Sequence, residues 1–173
     1  MTELRLRKRH RLRQKEIASI ARRIDESLGS RSFDESDVVD MAEAPEYMVV
    51  YVGGKILAFL PGGTPFLTVR GLLRYGATKR FVTVDMGAVR FVYNGADVMG
   101  PGIVGHDPGI SVGDLVWVRD VQNLRPLAVG RALVPAEGMA RKDKGKAVES
   151  VHHVGDKLWA ADEPKPDEDG PAA

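Results

Sequence analysis

The sequence predicts an α+β fold in two parts: an N-terminal α/β unit followed by a pseudo-β-barrel of short strands. Three observations predict it. Ile17, Ile20, Ala21, Ile24 and Leu28 recur at the spacing of one helical face. Two apolar runs, Tyr47 to Val52 and Lys55 to Leu60, flank Gly53-Gly54, the signature of a tight hairpin. From Phe81 onward, short strand-like runs alternate with Gly and Pro clusters, the pattern of a barrel.

Taken in order, the apolar stripe predicts a helix from about Leu12 to Leu28, with Gly29 as its stop signal. The basic residues before and beside it are expected to form a basic N-terminal helix face. Residues 29–36 are polar and loop-like, and Asp37 to Met41 is a first strand before the hairpin. Pro61-Gly-Gly63 ends that sheet. Thr68 to Tyr75 then reads as a short helix burying Val69, Leu72 and Leu73, closed by Gly76. In the second half, Phe81 to Asp85, Asp97 to Met99, Leu115 to Arg119 and Leu127 to Leu133 read as strands. Ala88 to Tyr93 reads as a helical turn, and Gly105 to Gly109 as a turn. Ala136 to Lys142 suggests a short helix. Val151 to Val154 and Lys157 to Trp159, split by Gly155-Asp156, suggest a closing hairpin. The boundaries that follow are 1–76, 77–160 and an acidic, solvated tail over 161–173.

Hydrophobic residues make up 43% of the 173-residue chain, enough to build a packed core, and there is no cysteine for disulfides or thiolate metal sites. A net charge of +1 hides an asymmetry. Residues 1–24 hold nine Lys or Arg against Glu3 and Glu16, whereas the tail holds Asp162, Glu163, Asp167, Glu168 and Asp169. No apolar run approaches the roughly 20 residues that span a bilayer, and the basic start lacks a signal-peptide apolar stretch. No membrane association is expected, and the cytoplasm is the expected compartment.

The stretch Val84-Asp-Met-Gly-Ala-Val-Arg-Phe-Val-Tyr-Asn-Gly-Ala-Asp-Val-Met-Gly-Pro-Gly-Ile103 is the most informative. With Gly113-Asp-Leu-Val-Trp-Val118 and Pro126-Leu-Ala-Val-Gly-Arg-Ala132 after it, the order of glycines and apolar residues resembles the PUA domain, a small RNA-binding pseudo-barrel. Thr68-Val-Arg-Gly-Leu-Leu-Arg-Tyr75 before it, and Lys144 to Trp159 with its Gly-Asp-x-Leu-Trp ending, resemble the malignant-T-cell-amplified-sequence (translation-machinery-associated) family. Members carry a pre-PUA domain before the PUA domain. The resemblance implies an archaeal-type member that acts in translation, contacts the small ribosomal subunit or tRNA, and in eukaryotes works with a partner bearing an SUI-type domain. The chain departs from the eukaryotic pattern in its lack of cysteine, its basic start and its acidic tail.

Candidate RNA-contacting residues follow. Arg90, between Val89 and Phe91, is expected to project outward while those apolar neighbours point in. A guanidinium there meets phosphate bidentately or stacks on a base, or is an ordinary solvated arginine. Asn94, Gly95, Ala96 and Asp97 form either a contact loop or a simple turn, and Gly100, Pro101 and Gly102 are read the same way, with the structural role favoured. The basic run Arg5, Arg7, Lys8, Arg9, Arg11 and Arg13 suits phosphate neutralisation or serves as a solubilising face. Lys79 and Arg80 could extend the patch, as could Arg141, Lys142, Lys144 and Lys146.

No catalytic pattern emerges. Adjacent His152 and His153 on a strand point to opposite faces and cannot share a metal. No nucleophile elbow or phosphate-loop motif is present. The expectation is a non-enzymatic RNA-binding protein of the translation apparatus, with no cofactor or metal and with rRNA or tRNA as partner. The alternative is an accessory RNA-targeting subunit of a modification enzyme of the pseudouridine synthase or tRNA guanine transglycosylase type.

Overall fold

A computed structural model describes residues 3–163. Its first half runs β1 (Arg7–Arg11), α1 (Gln14–Leu28), β2 (Val39–Glu43), β3 (Tyr47–Val52), β4 (Lys55–Pro61), β5 (Phe66–Leu67) and α2 (Val69–Tyr75). Its second half runs β6 (Phe81–Val84), α3 (Met86–Tyr93), β7 (Val98–Met99), β8 (Ile103–His106), β9 (Leu115–Asp120), β10 (Pro126–Ala132), α4 (Ala136–Ala140), β11 (Lys146–His153) and α5 (Lys157–Ala160). The fold is α+β.

The first sheet is an antiparallel meander in chain order, β1 to β5. Helix α1 buries Ile17, Ile20, Ala21, Ile24 and Leu28, the stripe read from the sequence. The Gly53-Gly54 turn joins β3 to β4 with Val52 opposite Lys55. The second sheet has the order β7-β11-β10-β9-β6-β8, with only β6 and β9 parallel. Its two edge strands are consecutive in the chain, joined by a 3-10 turn at Gly100–Gly102. So short a link between opposite edges obliges the sheet to curl into a nearly closed barrel.

Four expectations need correction. The basic run is not helical. Arg7–Arg11 forms an edge strand against β2, where Asp40 pairs with both Arg9 and Arg11, Lys8 lies 3.9 Å from Glu43, and Arg9 stacks on Tyr51. Sheet pairing and these contacts, invisible to a helical-period reading, override it. Leu73 is exposed because α2 turns Gly71 toward β4, where a Cβ would meet the Leu57 carbonyl oxygen. The closing hairpin is a strand followed by a helix, because Asp156 caps α5 by accepting from Trp159 N. Finally, Asp162, counted with the solvated tail, is docked: its carboxylate accepts from Ile56 N at 2.8 Å and lies 3.8 Å from Arg70 Nε. Asp167, Glu168 and Asp169 lie outside the described residues.

The two halves share a core. Leu115, Trp117, Val129 and Leu158 belong to the same buried cluster as α1 and the first sheet. Its polar centre is His152, 1% exposed. Val69 N, at the first turn of α2, donates to His152 Nε2 at 3.1 Å. An accepting Nε2 requires the neutral ring with its proton on Nδ1, which donates to Asp156 at 2.9 Å. Burial would raise the Asp156 pKa; donation from His152 and from the backbones of Trp159 and His153 outweighs it and holds the carboxyl below the usual range. Arg70 completes the junction, stacking 3.7 Å above Trp159 and donating to its carbonyl.

Replacing His152 with Leu keeps the bulk but strands the Val69 N–H without an acceptor. The expected loss is about 2–4 kcal/mol, read as a lower urea midpoint at unchanged m-value. Asp156 supplies a pH signature. Its folded pKa is depressed, so its stabilisation is full above the ordinary aspartate range and fades as pH falls through the folded value. Asp156→Asn should therefore be less stable at neutral pH, and its stability should fall less steeply than the parent's below pH ~4. Parallel stability curves would contradict the junction as described.

Candidate nucleic-acid interface

Helix α3 opens where Asp85 accepts from Ala88 N at 2.9 Å. Its buried side is Val92, with Ala88 and Val89 partly covered. Positions 88, 89 and 92 define a stripe from which residue 91 is displaced by roughly a quarter turn at 100° per residue. Phe91 is therefore 54% exposed, against the inward orientation expected from sequence. Arg90 is exposed beside it, its guanidinium 4.9 Å from the Phe91 ring centroid.

The following loop is held by its own bonds. Ala96 N donates to the Phe91 carbonyl at 2.9 Å. Asp97 accepts from Ser150 N at 2.8 Å and pairs with Lys146 at 3.1 Å; the Ser150 hydrogen bond chiefly, with Lys146 assisting, depresses its pKa. Gly95, with φ of +95°, lies under the His153 ring, whose Nε2 would sit 2.7 Å from an added Cβ. Gly100 N donates to the Gly145 carbonyl, and a Cβ on Gly100 would lie 1.7 Å from the Asp143 carbonyl oxygen. These glycines have structural reasons to be there. Asp97 is likewise committed to β11.

What this scaffold leaves open is a shallow cavity of about 310 Å³ lined chiefly by Ala88, Phe91, Ala96, Met99, Gly102 and Lys146. The exposed faces of Phe91 and Met99 form its apolar wall; Lys146 and its partner Asp97 complete the lining, and the Arg90 guanidinium lies beside Phe91. Of the residues singled out in the sequence, Ala96, Asp97, Gly102 and Lys146 line this cavity and Arg90 lies next to its Phe91 wall, whereas the exposure of Phe91 and Met99 was not foreseen. The signal was the helical phase of residues 88, 89 and 92.

Other candidates lie elsewhere. Lys79 and Arg80 precede β6 while α3 follows it, so a four-residue strand, about 13 Å of chain, separates them from the cavity. Arg80 pairs with Asp114 at 3.3 Å, and the Lys79 carbonyl accepts from Trp117 Nε1. Lys8, Arg9 and Arg11 are paired within the first sheet, while Arg5, Arg7 and Arg13 are exposed. Arg5 follows Leu4, which shares a second cavity with Gly95, so the start of the basic run comes close to the loop. Among the described residues, no group of three His, Cys, Asp or Glu could hold a metal ion, and no helix is long and apolar enough to cross a membrane.

The PUA domain model matches residues 80–154. An uncharacterized protein, MJ1432, of Methanocaldococcus jannaschii is 35% identical over 158 residues, covering 89% of this chain and 96% of that protein. Human malignant T-cell-amplified sequence 2 is 31% identical over 132 residues, 72% of each chain. The chain belongs to the malignant T-cell-amplified sequence family of PUA-domain proteins. Among solved structures, hypothetical protein PH0734.1 of Pyrococcus horikoshii superposes with a TM-score of 0.79 at 33% identity, over 90% of this chain and 100% of that one. The family's Gly-Asp-x-Leu-Trp ending is, in this member, the Asp156 cap, the buried Leu158 and the Trp159 that stacks on Arg70.

Two substitutions separate scaffold from contact surface. Gly100→Ala should cost more than about 2 kcal/mol, because a backbone carbonyl occupies the space. Phe91→Ala, on the solvent side, should stay within about 0.5 kcal/mol of the parent. Thermal denaturation of both reads the difference, and equal losses would contradict this division.

Proposed function

We propose that this protein is a non-enzymatic RNA-binding factor of the translation apparatus, contacting tRNA or the small ribosomal subunit through the α3 face of its PUA unit (77–160). The carrying observation is the exposed Phe91 beside Arg90, at the rim of an apolar cavity whose loop is already held in place. An exposed aromatic and a guanidinium plane are what an unstacked base rests on, and the flanking cations neutralise phosphate. RNA would be positioned by stacking and phosphate contacts, with little reading of sequence.

Several features support this reading. PUA-domain relatives carry the name translation machinery-associated protein 20, among them the yeast protein at 28% identity over 128 residues. The pre-PUA unit (1–76) adds the exposed Arg5, Arg7 and Arg13, of which Arg5 follows Leu4 in a cavity wall shared with Gly95. These charges extend the electrostatic footprint beyond the cavity.

Binding should be salt-sensitive, since each phosphate neutralised releases counterions. Arg90→Glu should weaken binding of tRNA or small subunits at least about tenfold at fixed salt, with the fold intact by circular dichroism. Phe91→Ala should weaken it at low and high salt alike. Unchanged affinity for both variants in filter binding would remove α3 as the contact surface. Co-purification with an RNA-modifying enzyme in place of ribosomal subunits would redirect the assignment to an accessory subunit.

A further inference from the structure

The second cavity, about 380 Å³, lies where the two halves meet and includes Gly95, whose chain neighbours Ala96 and Asp97 line the first. It is lined by Leu4, Pro45, Glu46 and Tyr47 from the pre-PUA unit and by Gly95, Ser150, Val151, His153, Asp156, Lys157 and Leu158 from the PUA unit. This is within the size range of small-ligand clefts, roughly 300–1,000 Å³.

Its chemistry is unusual for a structural seam. Among the described residues, the side chains of Glu46, Ser150 and Lys157 and the Tyr47 hydroxyl form no hydrogen bond or ion pair. Asp156, by contrast, already accepts from His152, His153 N and Trp159 N. Tyr47 remains a donor: burial first, then the charges of Asp156 and Glu46, push its pKa upward. His153 Nδ1 faces two acceptors, the Val154 carbonyl at 2.8 Å and the Tyr93 carbonyl at 3.1 Å, so it donates to the backbone and the ring is held in place. The wall therefore offers two aromatic rings, a carboxylate, a hydroxyl donor and an ammonium around one small space.

We infer that this cavity receives an unstacked nucleobase bearing an exocyclic amine, with Glu46 accepting from the amine and Tyr47 and Lys157 donating to ring acceptors. A carboxylate is the side-chain partner of the cytosine amino group, and single-stranded RNA is read by splaying bases onto aromatic rings and bonding their Watson–Crick edges. Uracil presents a carbonyl where cytosine presents the amine, and so turns an acceptor toward the carboxylate. The inference rests on the proposed RNA face, because Gly95 in this cavity is next in the chain to Ala96 and Asp97 in the other.

Free nucleosides test it apart from that face. The 15N-labelled full chain is titrated with cytidine and, separately, with uridine, both in the millimolar range. Cytidine should shift the amide signals of Gly95, Ser150 and His153 while uridine leaves them in place. Glu46→Gln, a change at an exposed residue, should weaken the cytidine response about tenfold. Equal responses to both nucleosides, or none at these amides, would overturn the assignment even if tRNA binds. Cytidine shifts in a protein that fails to bind tRNA would uphold the cavity and remove the RNA-face reading instead.

Discussion

The fold turns on one buried chain of hydrogen bonds: Val69 N–H to His152 Nε2, His152 Nδ1–H to Asp156, and Trp159 N–H to the same carboxylate. It runs from the first turn of α2, through β11, to the cap of α5, and so ties the last helix of the first half to the last strand of the barrel. A buried imidazole without both partners would be costly, and so would the Val69 N–H it satisfies. The chain therefore admits one relative placement of the two sheets. Apolar packing around it, with Leu115, Trp117, Val129 and Leu158 joining the first core, supplies the bulk of the stabilisation, while the polar chain supplies the geometry.

That placement positions the surface. Because the barrel's edge strands β7 and β8 are joined by three residues, the Gly100–Gly102 turn sits beside the start of α3, where its Gly102 carbonyl accepts from Asp85 N. The loop after α3 is bonded to β11 through Asp97 and lies against His153 through Gly95. A loop ordered before any ligand arrives loses little entropy on binding, so contact energy appears as affinity. The residues left outward include the aromatic Phe91, the thioether of Met99 and the cations Arg90 and Lys146, and Gly95 of the same loop lines the second cavity.

Much of this was legible in the sequence, and the failures have physical causes. Local periodicity found α1, the β3–β4 hairpin and the barrel strands β6, β7, β9 and β10, since each is set by neighbours in the chain, but it took the end of β8 for a turn and most of β11 for loop. Spaced glycines located the turns, because Gly100 leaves no room for a side chain and Gly95 has a left-handed backbone. The basic run was misread because its strand identity depends on Asp40, about thirty residues away. The last helix was misread because Asp in a Gly-Asp pair serves equally as a turn residue or a helix cap, and only the Trp159 N–H decides. Phe91 and Leu73 were assigned to the core because hydrophobicity was weighed without helical phase. No local pattern marks a histidine whose two partners lie on different halves of the molecule.

Photo-crosslinking of the intact protein to its bound RNA, with mass-spectrometric assignment of the linked residues, tests the RNA surface most directly. Crosslinks should concentrate on α3 around Arg90 and Phe91, on the 94–102 loop around Met99, and along the Leu4 side of the second cavity. Crosslinks confined to the far end of β6 near Lys79, or to the outer face of α1, would contradict it.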